Sequence, residues 1–276
     1  MDHRKSRYGA MFLAILSTIL FLFPIYWMFA TSIKPMSDLF VSPPHLIPRD
    51  VTFDAYLENV FKNPYILGYI GNSFLIACGT MVVTLLLAAP AAYALTRLPL
   101  RGKGLILILL LASQMLPNIM LAMPFFILFS KLGLLNSFLG LIIANTTVSL
   151  PFAVLVLRPF FLSIPSVLDD AAAIDGCNKW TTFWRVILPL IKPGMLTVGA
   201  FCFLFGWGDF LFAMLLTTEE SIRPLTLGLY KFIGQYGTQW NNLMAVATVA
   251  AIPIVIIFIT LQKYIVSGLT SGAVKD

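Results

Sequence analysis

Six stretches of this chain are apolar for long enough to cross a lipid bilayer, and the segments between them are polar or interrupted by proline and glycine. The runs cover residues 10–33, 69–95, 105–129, 134–157, 195–216 and 243–266. Each comes close to the roughly 20 residues that a helix needs to span about 30 Å of hydrocarbon. The pattern predicts an all-α integral membrane protein with six transmembrane helices in a single domain over residues 1–276. Pro24, Pro90, Pro117, Pro124, Pro151 and Pro253 fall within or near the runs, where neighbouring helices can satisfy the backbone groups that a proline frees. There is no repeat of fixed period and no low-complexity tract.

Composition sharpens this reading. Hydrophobic residues make up 59% of the chain and charged residues 11%, against about 45–50% and 25% in a soluble globule. The first run follows Arg4, Lys5 and Arg7 in the manner of a signal peptide. Its length exceeds the 7–15 residues of such a core and it has no clear cleavage site, so an uncleaved first helix is expected.

The net charge of +6 would fit a nucleic-acid ligand if it were clustered, but it sorts with the sides of the membrane instead. With the amino terminus in the cytoplasm, 12 of the 18 Lys and Arg residues lie inside and six (Lys34, Arg49, Lys62, Lys131, Arg223 and Lys231) lie outside. That is the positive-inside bias. It makes both termini cytoplasmic and makes the segments at about 34–68 and 217–242 external. The first of these, with Pro43, Pro44, Pro48 and Pro64, is expected to cap the outer face. The second has a tip at Gly234, Gln235, Tyr236 and Gly237, where glycines bend the chain and tyrosine offers rigid contact area.

The cytoplasmic loop at about 158–193 is the most informative segment. Ala171, Ala172 and Ala173 favour helix, Gly176 permits the left-handed residue that ends one, and helical spacing resumes from Lys179 until Pro189 stops it. Two short helices around a glycine bend are predicted, forming a docking surface without catalytic chemistry. The stretch Asp169-Asp170-Ala171-Ala172, then Asp175-Gly176, Phe183 and Leu188-Pro189, resembles the cytoplasmic signature of permease subunits of binding-protein-dependent ABC importers. That signature is an acidic residue followed by two alanines, a glycine four residues on, and later an apolar residue and proline. Asp170 stands where that family usually has Glu, and Cys177 where Ala or Ser is common. Trp207-Gly208-Asp209-Phe210, the segment 262–269 and the tail at 272–275 are similar to the carbohydrate-uptake group, on the side of the smaller maltose-type permease. Gly208 replaces the usual Asn and Asp276 the usual Gly.

The resemblance implies a membrane permease that docks two nucleotide-binding ATPase subunits through Asp169, Asp170, Ala171, Ala172, Asp175, Gly176, Phe183 and Pro189. It also implies a second, homologous permease and an external solute-binding protein, met by Gly234, Gln235, Tyr236 and Gly237. The setting is the bacterial cytoplasmic membrane and the cargo a sugar, glycoside or polyol. No cofactor is expected in this chain, with ATP and magnesium on the partner ATPases. In agreement, the sequence has no phosphate-binding glycine loop, no nucleophile elbow and no paired metal spacing. Cys78, Cys177 and Cys202 lack ligand spacing and read as small buried residues.

Five polar or aromatic residues within the runs are candidates for a solute pathway: Gln114, Asn118, Asn145, Trp207 and Asp209. Amides and carboxylates bond sugar hydroxyls well, and equally well tie helices together. Asp209 is the one acidic residue deep in a run, a position that faces the bundle interior or water. The small residues Gly9, Gly68, Gly71, Gly199 and Gly206 offer close-approach surfaces for a second permease, and Asn72-Ser73 reads as the cap opening the second span. An ion-coupled secondary transporter is the competing class, disfavoured by the scarcity of carboxylates within the runs.

Overall fold

The computed structural model describes residues 2–234 and 237–270, and within 2–7 and 264–270 the backbone only. Gln235, Tyr236 and the tail 271–276 lie outside the described residues. The chain is nearly all helical and falls into two compact units, residues 1–67 with 228–252 and residues 68–227 with 253–276.

The first unit holds helix α1 (Asp2–Ser32) and the external segment that follows it. Short helical turns at Met36–Leu39 and Asp54–Tyr56 are folded back on the end of α1. The Tyr26 hydroxyl donates to the Leu46 carbonyl at 2.8 Å, Ser32 Oγ meets the Tyr56 hydroxyl at 2.7 Å, and Thr52 N–H donates to the Ile33 carbonyl at 2.9 Å. The segment after α1 is therefore held against the end of that helix by hydrogen bonds. The strands Ile233–Gly234 and Gly237–Thr238 pair antiparallel, Ile233 opposite Thr238 and Gly234 opposite Gly237.

The second unit contains α2 (Ile66–Arg97), α3 (Lys103–Gln114), α4 (Ala122–Lys131), α5 (Phe138–Leu162), α6 (Val167–Ile174), α7 (Lys179–Leu190), α8 (Lys192–Trp207) and α9 (Leu211–Leu216). The last helix, α10, runs over Trp240–Thr270. Ser73, Ala77, Thr80, Thr84, Ala88 and Ala92 recur every three or four positions on α2 and are all fully buried. One stripe of small side chains lets neighbouring backbones come close, which matters in lipid because apolar burial gives helices no reason to associate there. Gly206 of α8 uses that stripe, since a Cβ at this position would lie 2.9 Å from the Cα of Ala77. On the α5 side, Thr84 Oγ1 and Ser149 Oγ share a buried 2.8 Å bond.

Among the described residues four helices are long and apolar enough to span by themselves, and up to six spans result if each of two bent pairs counts as one: α3 with α4 at 96°, and α8 with α7, which meets it at 81° on the cytoplasmic side. The third predicted run is two helices, α3 and α4, meeting at 96°. Pro117, extended at ψ 129°, starts a short 3-10 turn between them. The fifth run is also interrupted, with α8 ending at Trp207 and α9 beginning at Leu211.

Two local expectations are corrected. Asn72 and Ser73 do not open the second span, which starts at Ile66. Asn72 Nδ2 donates to the carbonyls of Ser221 and Arg223, and Ser73 Oγ accepts from Leu225 N–H, so both pin the loop after α9. Gly199 and Gly206 are consumed by contacts with α2 of the same chain, whereas Gly9, Gly68 and Gly71 have no atom near enough to meet a Cβ.

Candidate functional site

The cytoplasmic loop folds into the predicted hairpin, α6 and α7, around Gly176. Gly176 takes a φ of +82°, the left-handed region where a side chain is strained. Cys177 N–H donates to the Ala172 carbonyl at 2.9 Å and Gly176 N–H to the Ala173 carbonyl at 3.1 Å, the paired bonds that close a helix with a left-handed residue. Asn178 then caps α7, its Oδ1 accepting from Thr181 N–H at 2.8 Å. Helix end and helix start are separated by only Asp175, Gly176, Cys177 and Asn178, so the apex is sharp and held by backbone bonds. From Thr182 to Ile187 the second helix widens to a π-helix, a distortion common at functional sites.

Two anchors fix the hairpin to the membrane helices. Phe183 is 1% exposed and sits among aromatic rings, 5.1 Å from Tyr93 of α2 and 6.4 Å from Phe161 of α5 by ring centroid. Asp169 Oδ2 lies 3.4 Å from Arg97 Nε at the end of α2, the Tyr93 hydroxyl donates to Asp169 Oδ1 at 3.4 Å, and the Arg97 guanidinium also donates to the Ile164 carbonyl. Of the residues singled out in the sequence, Phe183 and Ala172 are therefore buried and Asp169 is half-buried against Arg97. Asp170, Ala171, Asp175, Gly176 and Pro189 are exposed. Phe183 is corrected from a docking contact to an internal anchor, because its surface is already spent on Tyr93 and Phe161.

The exposed face holds two residues that the sequence reading passed over. Ile174 is 87% exposed and Trp180 is 65% exposed, one on either side of the Gly176 turn. Large apolar side chains flanking a glycine in a polar, cytoplasmic loop were the available signal, and bare apolar surface of that kind marks an interaction site.

A second site gathers in the same unit. Asn118, Asn145 and Asp209 line one cavity of about 280 Å³, with Val148, Gly208 and Phe210 among its walls. Asp209 lies in the break between α8 and α9, where it caps α9: Oδ1 accepts from Phe212 N–H and Oδ2 from Ala213 N–H, both at 3.1 Å. Asn145 Nδ2 of α5 donates to the same Oδ2 at 3.2 Å. The carboxylate thus completes a helix end inside the membrane, where unsatisfied N–H groups are costly. Gln114 stands apart from this cavity, its Nε2 donating to the Val148 carbonyl at 3.1 Å. Trp207 is buried and stacked on Phe203 at 5.7 Å; it is core, and is not among the residues that line the cavity. Gly234 and Gly237 flank the external hairpin turn.

A family model described as a binding-protein-dependent transport system inner membrane component matches residues 84–271. The diacetylchitobiose uptake system permease protein DasC of Streptomyces coelicolor is 32% identical over 275 residues, covering 99% of each chain. The trehalose transport system permease protein SugB of Mycobacterium tuberculosis is 37% identical across the full length of both chains. Among solved structures, a chain of a bacterial ABC transporter involved in the import of the acidic polysaccharide alginate aligns with a TM-score of 0.79 at 25% identity, covering 95% of this chain and 97% of that one. The chain belongs to the binding-protein-dependent transport system inner membrane components, the multi-pass permease subunits of ABC importers.

Proposed function

We propose that this permease forms half of a pathway that carries a sugar, glycoside or polyol inward, with ATP and magnesium handled by two partner ATPase subunits. The observation that carries the reading is the anchored cytoplasmic hairpin: an exposed apolar apex at Ile174 and Trp180, joined through Phe183 to α2 and α5. Such an element receives motion from a docked partner and hands it to spans. The cargo class rests on Asn118, Asn145 and Asp209 around one cavity, a donor and acceptor set suited to hydroxyl groups, and on relatives named for diacetylchitobiose and trehalose. A second, homologous permease completes the pathway and an external solute-binding protein supplies the solute. The chain itself is no enzyme and holds no cofactor.

Proteoliposomes containing the permease pair, the ATPase subunits and the solute-binding protein test this. Uptake of labelled sugar should require ATP on the ATPase side and be unaffected by collapse of ion gradients. Uptake that persists without ATP and follows a proton or sodium gradient would overturn the assignment in favour of ion coupling.

A further inference from the structure

We infer that the external segment after α1 dips back to the membrane and seats Leu46 and Ile47 among the lipids of the outer leaflet, as a wedge beside the helix. The depth follows from α1 as a span. Arg4, Lys5 and Arg7 hold its inner end in the cytoplasm, and the roughly 20 residues that cross the hydrocarbon from Tyr8 end near Trp27. Tyr26 and Trp27 are residue types that settle at that boundary. The helix continues to Ser32, about 9 Å beyond Tyr26 at 1.5 Å per residue. Two successive carbonyls of the segment are tied at the level of the boundary and not at the end of the helix. The Tyr26 hydroxyl donates to the Leu46 carbonyl at 2.8 Å. The Lys34 side chain folds back along α1 until its ammonium lies 4.6 Å from the centre of the Trp27 ring, and there it donates to the His45 carbonyl at 2.5 Å.

Backbone placed at that depth has to be satisfied from within the protein. Pro43, Pro44 and Pro48 have no N–H to satisfy, and the carbonyls of His45 and Leu46 already have donors on α1, so the tip is built with few polar groups left to water. Its side chains are nonetheless bare: Leu46 is 59% exposed and Ile47 76%. Beside them α1 shows the same character, every described side chain from Tyr8 to Tyr26 being exposed. A helix bare on all sides keeps lipid on part of its circumference whatever packs on the rest, and Leu46 and Ile47 extend that surface sideways at the hydrocarbon boundary. Acyl chains are therefore the occupant that the position selects. Arg49 and Asp50, both exposed, then return the chain to the headgroups and water.

Photocrosslinking tests the wedge on the assembled transporter in nanodiscs of phosphatidylethanolamine and phosphatidylglycerol, with the solute-binding protein present. The photoreactive residue p-benzoylphenylalanine replaces Ile47, then Phe21 on the bare middle of α1, then Asp54. Asp54 is an exposed residue at the outer end of the helix, two positions after Thr52, whose N–H bonds the Ile33 carbonyl. Mass spectrometry of the cross-linked peptides should find phospholipid on position 47 at a yield close to that at 21 and several-fold above that at 54, where the same apolar probe stands in water. If the protein substituted at Ile47 fails to assemble, Leu46 substituted in the same way carries the test with the same expected yields. A cross-link to the second permease or to the solute-binding protein in place of lipid overturns the wedge and names its true occupant. A lipid yield no greater than at position 54 overturns it as well, and lipid missing from position 21 too would remove the placement of α1 on which the depth depends.

Discussion

Asp209 and Gly176 show how single residues set the working parts. Asp209 caps α9 with both carboxylate oxygens, and removing a cap costs about 0.5–2 kcal/mol. Asp209→Ala is therefore expected to lower the heat-denaturation midpoint of the purified complex, and Asp209→Asn, which keeps one acceptor, to lower it less. An Asp209→Ala protein of unchanged midpoint that no longer transports would instead place the carboxylate on the solute. At Gly176 the φ of +82° leaves a β-branched side chain strained by roughly 1–3 kcal/mol. Gly176→Val should insert and assemble normally, retain ATP hydrolysis and lose uptake, with Gly176→Asn milder because Asn tolerates that conformation. Normal sugar uptake by the valine variant in proteoliposomes would take the turn out of the coupling path.

Among the elements, the pairing of α2 with α8 depends on contact distance more than on apolarity. Gly206→Ala would put a methyl 2.9 Å from the Ala77 Cα, and overpacking of this sort costs about 1–3 kcal/mol. The expected result is a lowered denaturation midpoint, against little change in Gly71→Ala, where nothing lies within 4 Å of the added atom. Equal midpoints would mean that the two helices separate without penalty. Helix existence was legible from the runs, since long apolar stretches must be helical in lipid. Helix continuity was not. Apolarity reports transfer into hydrocarbon and is blind to direction, so the 96° bend between α3 and α4 is marked only by Pro117. The break before α9 is marked only by Asp209, whose Asn145 partner lies 64 positions away in sequence. The hairpin's two helices were legible because their signals are local: alanines, a glycine, and helical spacing from Lys179 to Pro189. Its anchoring through Phe183 was hidden, because Tyr93 and Phe161, the rings that tie it to the spans, come from α2 and α5.

For the whole molecule, the distribution of lysine and arginine sets a topology that can be read with thiol chemistry. A membrane-impermeant maleimide applied to intact cells should label Pro48→Cys in the external segment and spare Cys177, while inside-out vesicles should reverse the pattern. Cys202 is buried and should stay unlabelled in both. Labelling of Cys177 from outside would invert the orientation and remove the hairpin from reach of any cytoplasmic partner. With that orientation in place, the packing of Phe183 against Tyr93 and Phe161, which also touch each other at 5.8 Å, has a mechanical consequence. Close-packed interiors transmit strain, so the hairpin is tied at its root to both helices. On the proposed coupling role, a load applied at Ile174 and Trp180 by a docked partner would reach α2 and α5 together through those rings.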